Sequence, residues 1–195
     1  GLPQDRKVVC VTGGSLGSAA LNAVARQFVE SNQSREDICL IHLTGQRYIN
    51  DDQPEFEPGA KITYKRLEST VAMQDVYSAS DLVVARAGAS TVAEISTIGI
   101  ASVLVPWAQA AEDHQTANAN WLGELGGAIV IDEKVFSTLE IAAQITALID
   151  DNAKISALGL AARKAGAQHR NTSLASLIIE TAQQTKSHLD LASTK

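Results

Sequence analysis

At 195 residues the chain is long enough for one domain with a full hydrophobic core. Its apolar fraction of 45% is that of a globular protein, and no apolar run approaches the ~20 residues of a membrane span. A net charge of −6 and an aromatic content of 4% argue against a nucleic-acid partner, which asks for basic surface and stacking platforms.

The opening residues Gly1-Leu2-Pro3-Gln4-Asp5-Arg6 hold no initiator Met and no apolar run behind a basic start. They are expected to be a cut point in a longer protein rather than a secretory signal. Lys7–Thr12 (KVVCVT) is a β-branched run stopped by Gly13-Gly14, and a helical pattern follows over Ser18–Glu30. A second strand, Ile38–Leu43 (ICLIHL), stops at Thr44-Gly45. A polar stretch then leads to a strand over Ile62–Lys65 and a short helix over Val71–Ser78. Next come a strand over Leu82–Ala85, a helix over Ser90–Ile98 and a strand over Ala101–Val105 closed by Pro106. A helix over His114–Leu125 and a sixth strand over Ala128–Ile131 complete the alternation. Three helical patterns end the chain, over Leu139–Asp150, Ala153–Ala165 and Ser173–Gln184.

Near-continuous apolar strands between helices are strands buried on both faces. The expected fold is therefore α/β: a Rossmann-like, doubly wound parallel sheet of about six strands. One domain is expected over 1–195, with its core over 6–150, terminal helices over 151–185 and a polar tail over 186–195. Cys10 and Cys39 lie inside apolar strands and read as reduced core residues. With no Cys-x-x-Cys pair and no Cys/His cluster, no metal is expected.

In such sheets ligands bind beyond the carboxyl ends of the strands, so three loops stand out. Thr12-Gly13-Gly14-Ser15-Leu16-Gly17-Ser18 offers bare backbone amides at a helix start, where anions are favoured. It also reads as a tight turn with Ser15 or Ser18 as N-cap. The spacing is neither the Gly-x-Gly-x-x-Gly dinucleotide fingerprint nor a P-loop. Arg86-Ala87-Gly88-Ala89-Ser90-Thr91-Val92-Ala93-Glu94 is a second cradle of the same kind. Here Glu94 could accept two hydrogen bonds from a ribose diol, yet Thr91-x-x-Glu94 also fits a capping box. In the third loop Asp113 reads as an N-cap, with His114 and Gln115 either offering donors to sugar hydroxyls or forming an idle first turn.

Taken together and in this order, the loops resemble the MurG family of peptidoglycan glycosyltransferases. The resemblance rests on Gly13-Gly14-Ser15-x-Gly17 with Ala20-Leu21-Asn22, on Asp81-Leu82-Val83-Val84 through Glu94, and on Asp113-His114-Gln115 with Asn118-Ala119. It covers about Val8 to Asp132 well and the terminal helices in general pattern. It implies a GT-B architecture, two Rossmann-like domains across a cleft, of which this chain is the carboxyl-terminal, UDP-N-acetylglucosamine-binding one.

By position, the loop of Gly14, Ser15 and Leu16 and the backbone from Gly88 through Ala89 and Ser90 to Thr91 would hold the diphosphate. Glu94 would grip the ribose, His114 and Gln115 would face the acetylglucosamine, Asn118 would belong to the same substrate-binding set, and Met73 would lie by the uracil. Glu68-Ser69-Thr70-Val71 departs from the family, as do Leu16 and His114, where Gln is common. The resemblance further implies inverting transfer onto an undecaprenyl-pyrophosphoryl acceptor to form lipid II, with no metal or cofactor. The acceptor and the catalytic base would belong to an amino-terminal domain docked on the inner face of the cell membrane. Other readings are the donor-binding subunit of a two-chain N-acetylglucosaminyltransferase, a UDP-N-acetylglucosamine 2-epimerase-like domain and a UDP-sugar sensor.

Overall fold

The computed structural model of the chain describes residues 2–51, 53–107, 109–110, 113–171 and 175–183. Six parallel strands form one sheet: β1 (Lys7–Thr12), β2 (Ile38–Leu43), β3 (Thr63–Leu67), β4 (Leu82–Ala85), β5 (Ala101–Leu104) and β6 (Ile129–Val130). Their order is β3-β2-β1-β4-β5-β6. The chain winds outward from β1 to β3, then returns to β4 on the other side of β1. That reversal opens a crevice between the loops after β1 and β4, where a doubly wound sheet binds its ligand.

Burial on both faces explains the strands. Every residue of β2 and β4 is buried, and in β1 only Lys7 is not. Val9, Val11, Leu82 and Val84 point to one side, packing with Leu21, Val24 and Phe28 of α1 (Ala19–Ser31) and Ile141 and Ile145 of α5 (Thr138–Asp150). Cys10, Val83 and Ala85 point to the other. They meet α2 (Met73–Ala79), α3 (Ala89–Ile98) and α4 (His114–Glu124) through Val76, Tyr77, Val92, Ile95 and Leu122. Helix α6 (Asn152–Ala165) packs on α3 and β5. Residues 175–183 are helical again. The rest of the expected Ser173–Gln184 helix and the tail over 186–195 lie outside the described residues. Among the described residues no helix is long and apolar enough to cross a membrane.

Cys10 and Cys39 are free and buried, and burial pushes the Cys10 thiol up to about 12. Three expected strands differ at their ends, β5 only in stopping at Leu104 rather than Val105. Ile62 is buried, but its amide bonds the Gln33 carbonyl rather than the ladder, so β3 begins at Thr63 and runs to Leu67. Pairing of β6 reaches only Val103 and Leu104, which limits it to two residues.

A polar chain crosses this apolar interior. His42, 2% exposed on β2, lies 3.0 Å through Nε2 from Asn22 Oδ1 of α1 and 2.8 Å through Nδ1 from the Tyr64 hydroxyl of β3. Asn22 Nδ2 donates to the Thr44 carbonyl at 3.1 Å. This leaves Asn22 Oδ1 to accept from His42 Nε2–H, and His42 Nδ1 to accept from Tyr64. The imidazole is thus held neutral. Burial first, then the charges of Arg66 and Arg26, lower its pKa from 6.5 to about 4.

The unfolded chain takes up this proton near pH 6.5, while the folded one resists it to about pH 4. Stability is therefore full above pH 6.5 and falls as the pH drops through that window, by about 3 kcal/mol in all. Urea unfolding of the native chain between pH 7 and 4 should show this loss. A His42→Asn variant, less stable at pH 7, should lose clearly less across the same range. It should keep only the loss from carboxylates such as Asp37 and Asp150, whose pKa values ion pairing with Arg35 lowers.

Candidate functional site

Three loops meet over the crevice, and each is built differently. After β1 the chain turns through a Gly17 N–H to Gly14 carbonyl bond of 3.0 Å, and Ser18 caps α1 by accepting from the Leu21 amide at 3.4 Å. Ser18, not Ser15, is the N-cap. Gly14, Ser15 and Leu16 stand exposed at the top of the turn. Its base is fixed against the neighbouring strand end. Gly17 and Gly45 both have positive φ, near +84°, and touch backbone to backbone. A Cβ on Gly17 would strike the Thr44 carbonyl, and one on Gly45 would strike Gly17.

After β4, α3 starts at Gly88, which is extended (φ −62°, ψ 148°), and no side chain caps it. The capping box, the alternative reading of Thr91 and Glu94, is not formed. Thr91 and Glu94 lie three and six residues into the helix, too far in to serve as a cap and its partner. A complete capping box occurs instead at α5. There Ser137 Oγ accepts from the Glu140 amide, and the Glu140 carboxylate accepts from the Ser137 amide at 2.8 Å. The amides of Ala89, Ser90 and Thr91 thus precede the first i→i−4 bond of α3 and concentrate its positive end. Ala89 and Ser90 are exposed.

The third loop leads into α4. Asp113 is at the N-cap position in the left-handed region (φ 54°), but it makes no backbone cap; its Oδ1 accepts from the Thr116 hydroxyl at 2.6 Å. His114 is exposed at the first helical position. Gln115 Oε1 accepts from the Trp107 amide at 3.1 Å. Asn118, one turn on, donates through Nδ2 to the Ala87 carbonyl at 3.1 Å. It therefore clips α4 to the loop that carries α3.

Two cavities flank the loops. One of about 600 Å³ lies on the α1 and α5 side, lined by Leu16, Arg47, Arg86, Trp107, Gln115 and Phe136 among others. The second, about 480 Å³, lies between α2 and α3 and brings Met73 together with Tyr77 and Glu94. Glu94 is exposed there, and its Oε2 accepts from the Tyr77 hydroxyl at 3.0 Å. Gly14, Ser15, Gly88, Ala89, Ser90, Thr91, His114 and Asn118 line neither cavity.

Arg86 joins the loops, a role sequence reading missed. From the end of β4 its guanidinium donates through Nε and Nη2 to Ser18 Oγ (3.1 and 2.8 Å) and through Nη1 to the Val105 and Pro106 carbonyls (3.1 and 3.2 Å). Nη2 also lies 2.8 Å from a Glu133 carboxylate oxygen, with the two side chains 12% and 19% exposed. An arginine at the end of an all-apolar strand was the available signal. A charge so placed needs partners, but the sequence does not name them.

A parallel sheet with this reversal and these loops over the switch point is the architecture of one half of a GT-B glycosyltransferase. The chain belongs to the glycosyltransferase family 28 C-terminal domain family, which matches residues 8–178. Among its relatives is the UDP-N-acetylglucosamine–N-acetylmuramyl-(pentapeptide) pyrophosphoryl-undecaprenol N-acetylglucosamine transferase of Methylococcus capsulatus. The two are 33% identical over 180 residues, 92% of this chain and 50% of the relative. The enzyme of the same name from Lawsonia intracellularis is 36% identical over 175 residues, 87% of this chain and 47% of the relative. The solved MurG of Acinetobacter baumannii superposes with a TM-score of 0.70 at 29% identity, over 84% of this chain and 46% of that one. The chain thus spans about half the length of the relatives it matches.

Removing the Arg86 fork strands the Glu133 carboxylate. Arg86→Met should cost about 3 kcal/mol in urea unfolding, the range for breaking a largely buried charge pair. Glu133→Gln in the same chain should recover part of that loss. Arg86→Lys should rescue little, since an ammonium cannot reproduce the planar fork.

Proposed function

We propose that this chain is the donor half of an inverting N-acetylglucosaminyltransferase that draws on UDP-N-acetylglucosamine to make lipid II. The observation that carries the reading is on α3. One helix presents an amino end uncapped by any side chain and, five residues on, a carboxylate set in a cavity. Five residues of helix advance about 7.5 Å, a separation that a ribose and the pyrophosphate on its 5′ carbon can bridge. A diphosphate on the amides of Ala89, Ser90 and Thr91 would put its ribose at Glu94 and its base toward Met73. Gly14, Ser15 and Leu16 close over the diphosphate from the β1 side. Gly88, held through Asn118, sets the start of the helix, and His114 and Gln115 face the sugar.

The chemistry follows from charge. Breaking the bond between the anomeric carbon and the diphosphate leaves negative charge on the departing phosphate oxygen. The positive end of α3 stabilises that charge with donors fixed beforehand. This half holds and orients the donor; the lipid-linked acceptor and the general base belong to the amino-terminal domain. With that domain attached, the protein is a peripheral enzyme of the inner face of the cell membrane. It uses no cofactor and takes no nucleic-acid partner.

Isothermal titration of the chain with UDP-N-acetylglucosamine, UDP-glucose, UDP and NADH tests the reading. Uridine compounds should bind, the acetylated sugar best, and NADH should not. Glu94→Ala should weaken UDP by about 1–3 kcal/mol, the loss of charge-assisted hydrogen bonds, with little change in melting temperature. Equal binding of NADH and UDP, or an unchanged affinity in Glu94→Ala, would sink it.

A further inference from the structure

Glu94 has a partner on the neighbouring helix. Tyr77 of α2 is 3% exposed, and its hydroxyl donates to Glu94 Oε2 across 3.0 Å. Both residues line the cavity between α2 and α3, beside Met73, Gln74, Ala93 and Thr97. Burial first, then the adjacent carboxylate, push the phenol's pKa up, so it stays protonated and a donor at neutral pH. The buried ring is fixed by packing, whereas the exposed glutamate is free in water to turn about three side-chain bonds. One donor on Oε2 selects among those rotamers and uses only one of the roughly four acceptor directions of the carboxylate.

We propose that Tyr77 is a positioning residue that holds the Glu94 carboxylate in the plane needed to accept both hydroxyls of a nucleoside ribose. The inference rests on the ribose reading of Glu94 given above. Its physical content is preorganisation: two parallel hydrogen bonds to a vicinal diol demand one carboxylate orientation, and ordering it in advance removes an entropic cost from binding.

The test is titration of the chain with UDP and with 2′,3′-dideoxy-UDP, which lacks both hydroxyls, in the native sequence, Tyr77→Phe and Glu94→Gln. Tyr77→Phe should weaken UDP by about fivefold, one hydrogen bond's worth, and leave the dideoxy compound unchanged. Glu94→Gln should weaken UDP selectively and by more, and the double variant should be no weaker than Glu94→Gln alone.

Equal weakening of both nucleotides by Tyr77→Phe would make Tyr77 a packing residue and overturn the proposal. So would a silent Tyr77→Phe beside a selective Glu94→Gln. If Glu94→Gln fails to distinguish the two nucleotides, the ribose reading itself is wrong and the proposal falls with it. A fluorotyrosine-labelled native chain, with 3 tyrosines in all, gives a second readout that needs no folded variant. The Tyr77 fluorine resonance should move more on UDP than on the dideoxy compound, and equal shifts would count against the role.

Discussion

The guanidinium of Arg86 is the lateral tie that reaches the most loops of the crevice among the described residues. In a parallel sheet each strand hands its chain to a separate crossover, so nothing in the ladder itself fixes one carboxyl-end loop against the next. Arg86 supplies that missing constraint, reaching the cap of α1, the end of β5 and the carboxylate after β6. Its planar fork serves several acceptors at once, and the Glu133 carboxylate offsets a charge that is otherwise costly to bury. Asn118 and Gln115 repeat the device on a smaller scale, each spending a side-chain amide on a loop backbone.

Rigidity at the loops is matched by selective openness at the helix starts. Two of the long helices begin with a serine that caps them, Ser18 at α1 and Ser137 at α5. The helix that begins at the switch point does not. Ser18 and Ser137 thus occupy the amides at the starts of α1 and α5, while no side chain occupies those at the start of α3. Beside them, Glu94 and Tyr77 give the second cavity a polar floor among Met73, Val71 and Ile98.

Much of this was legible in the residues. β1, β2 and β4 begin and end where their apolar runs do, because burial on both faces leaves no alternative. The three loops were found from glycine and strand ends alone. What escaped was contact between elements distant in sequence. His42 looked like one more residue of an apolar strand, and only the fold brings it to Asn22 and Tyr64. Arg86 to Glu133 and Tyr77 to Glu94 are of the same kind. The Thr91 and Glu94 spacing failed for a different reason. A Ser/Thr-x-x-Glu pattern marks a helix start only if the backbone turns helical just after it, and here the turn comes at Gly88, three residues earlier.

The meeting of Gly17 and Gly45 carries a consequence for how this protein can change. Each glycine's missing side chain is the space the other's backbone fills, so neither position can vary while the other stays put. Drift at one would have to wait for the two strand ends to part, and parting would unseat Asn22 from Thr44 and the turn above it. The pair therefore behaves in evolution as one inherited character. Descendants should keep both glycines, or lose them together along with the turn they support.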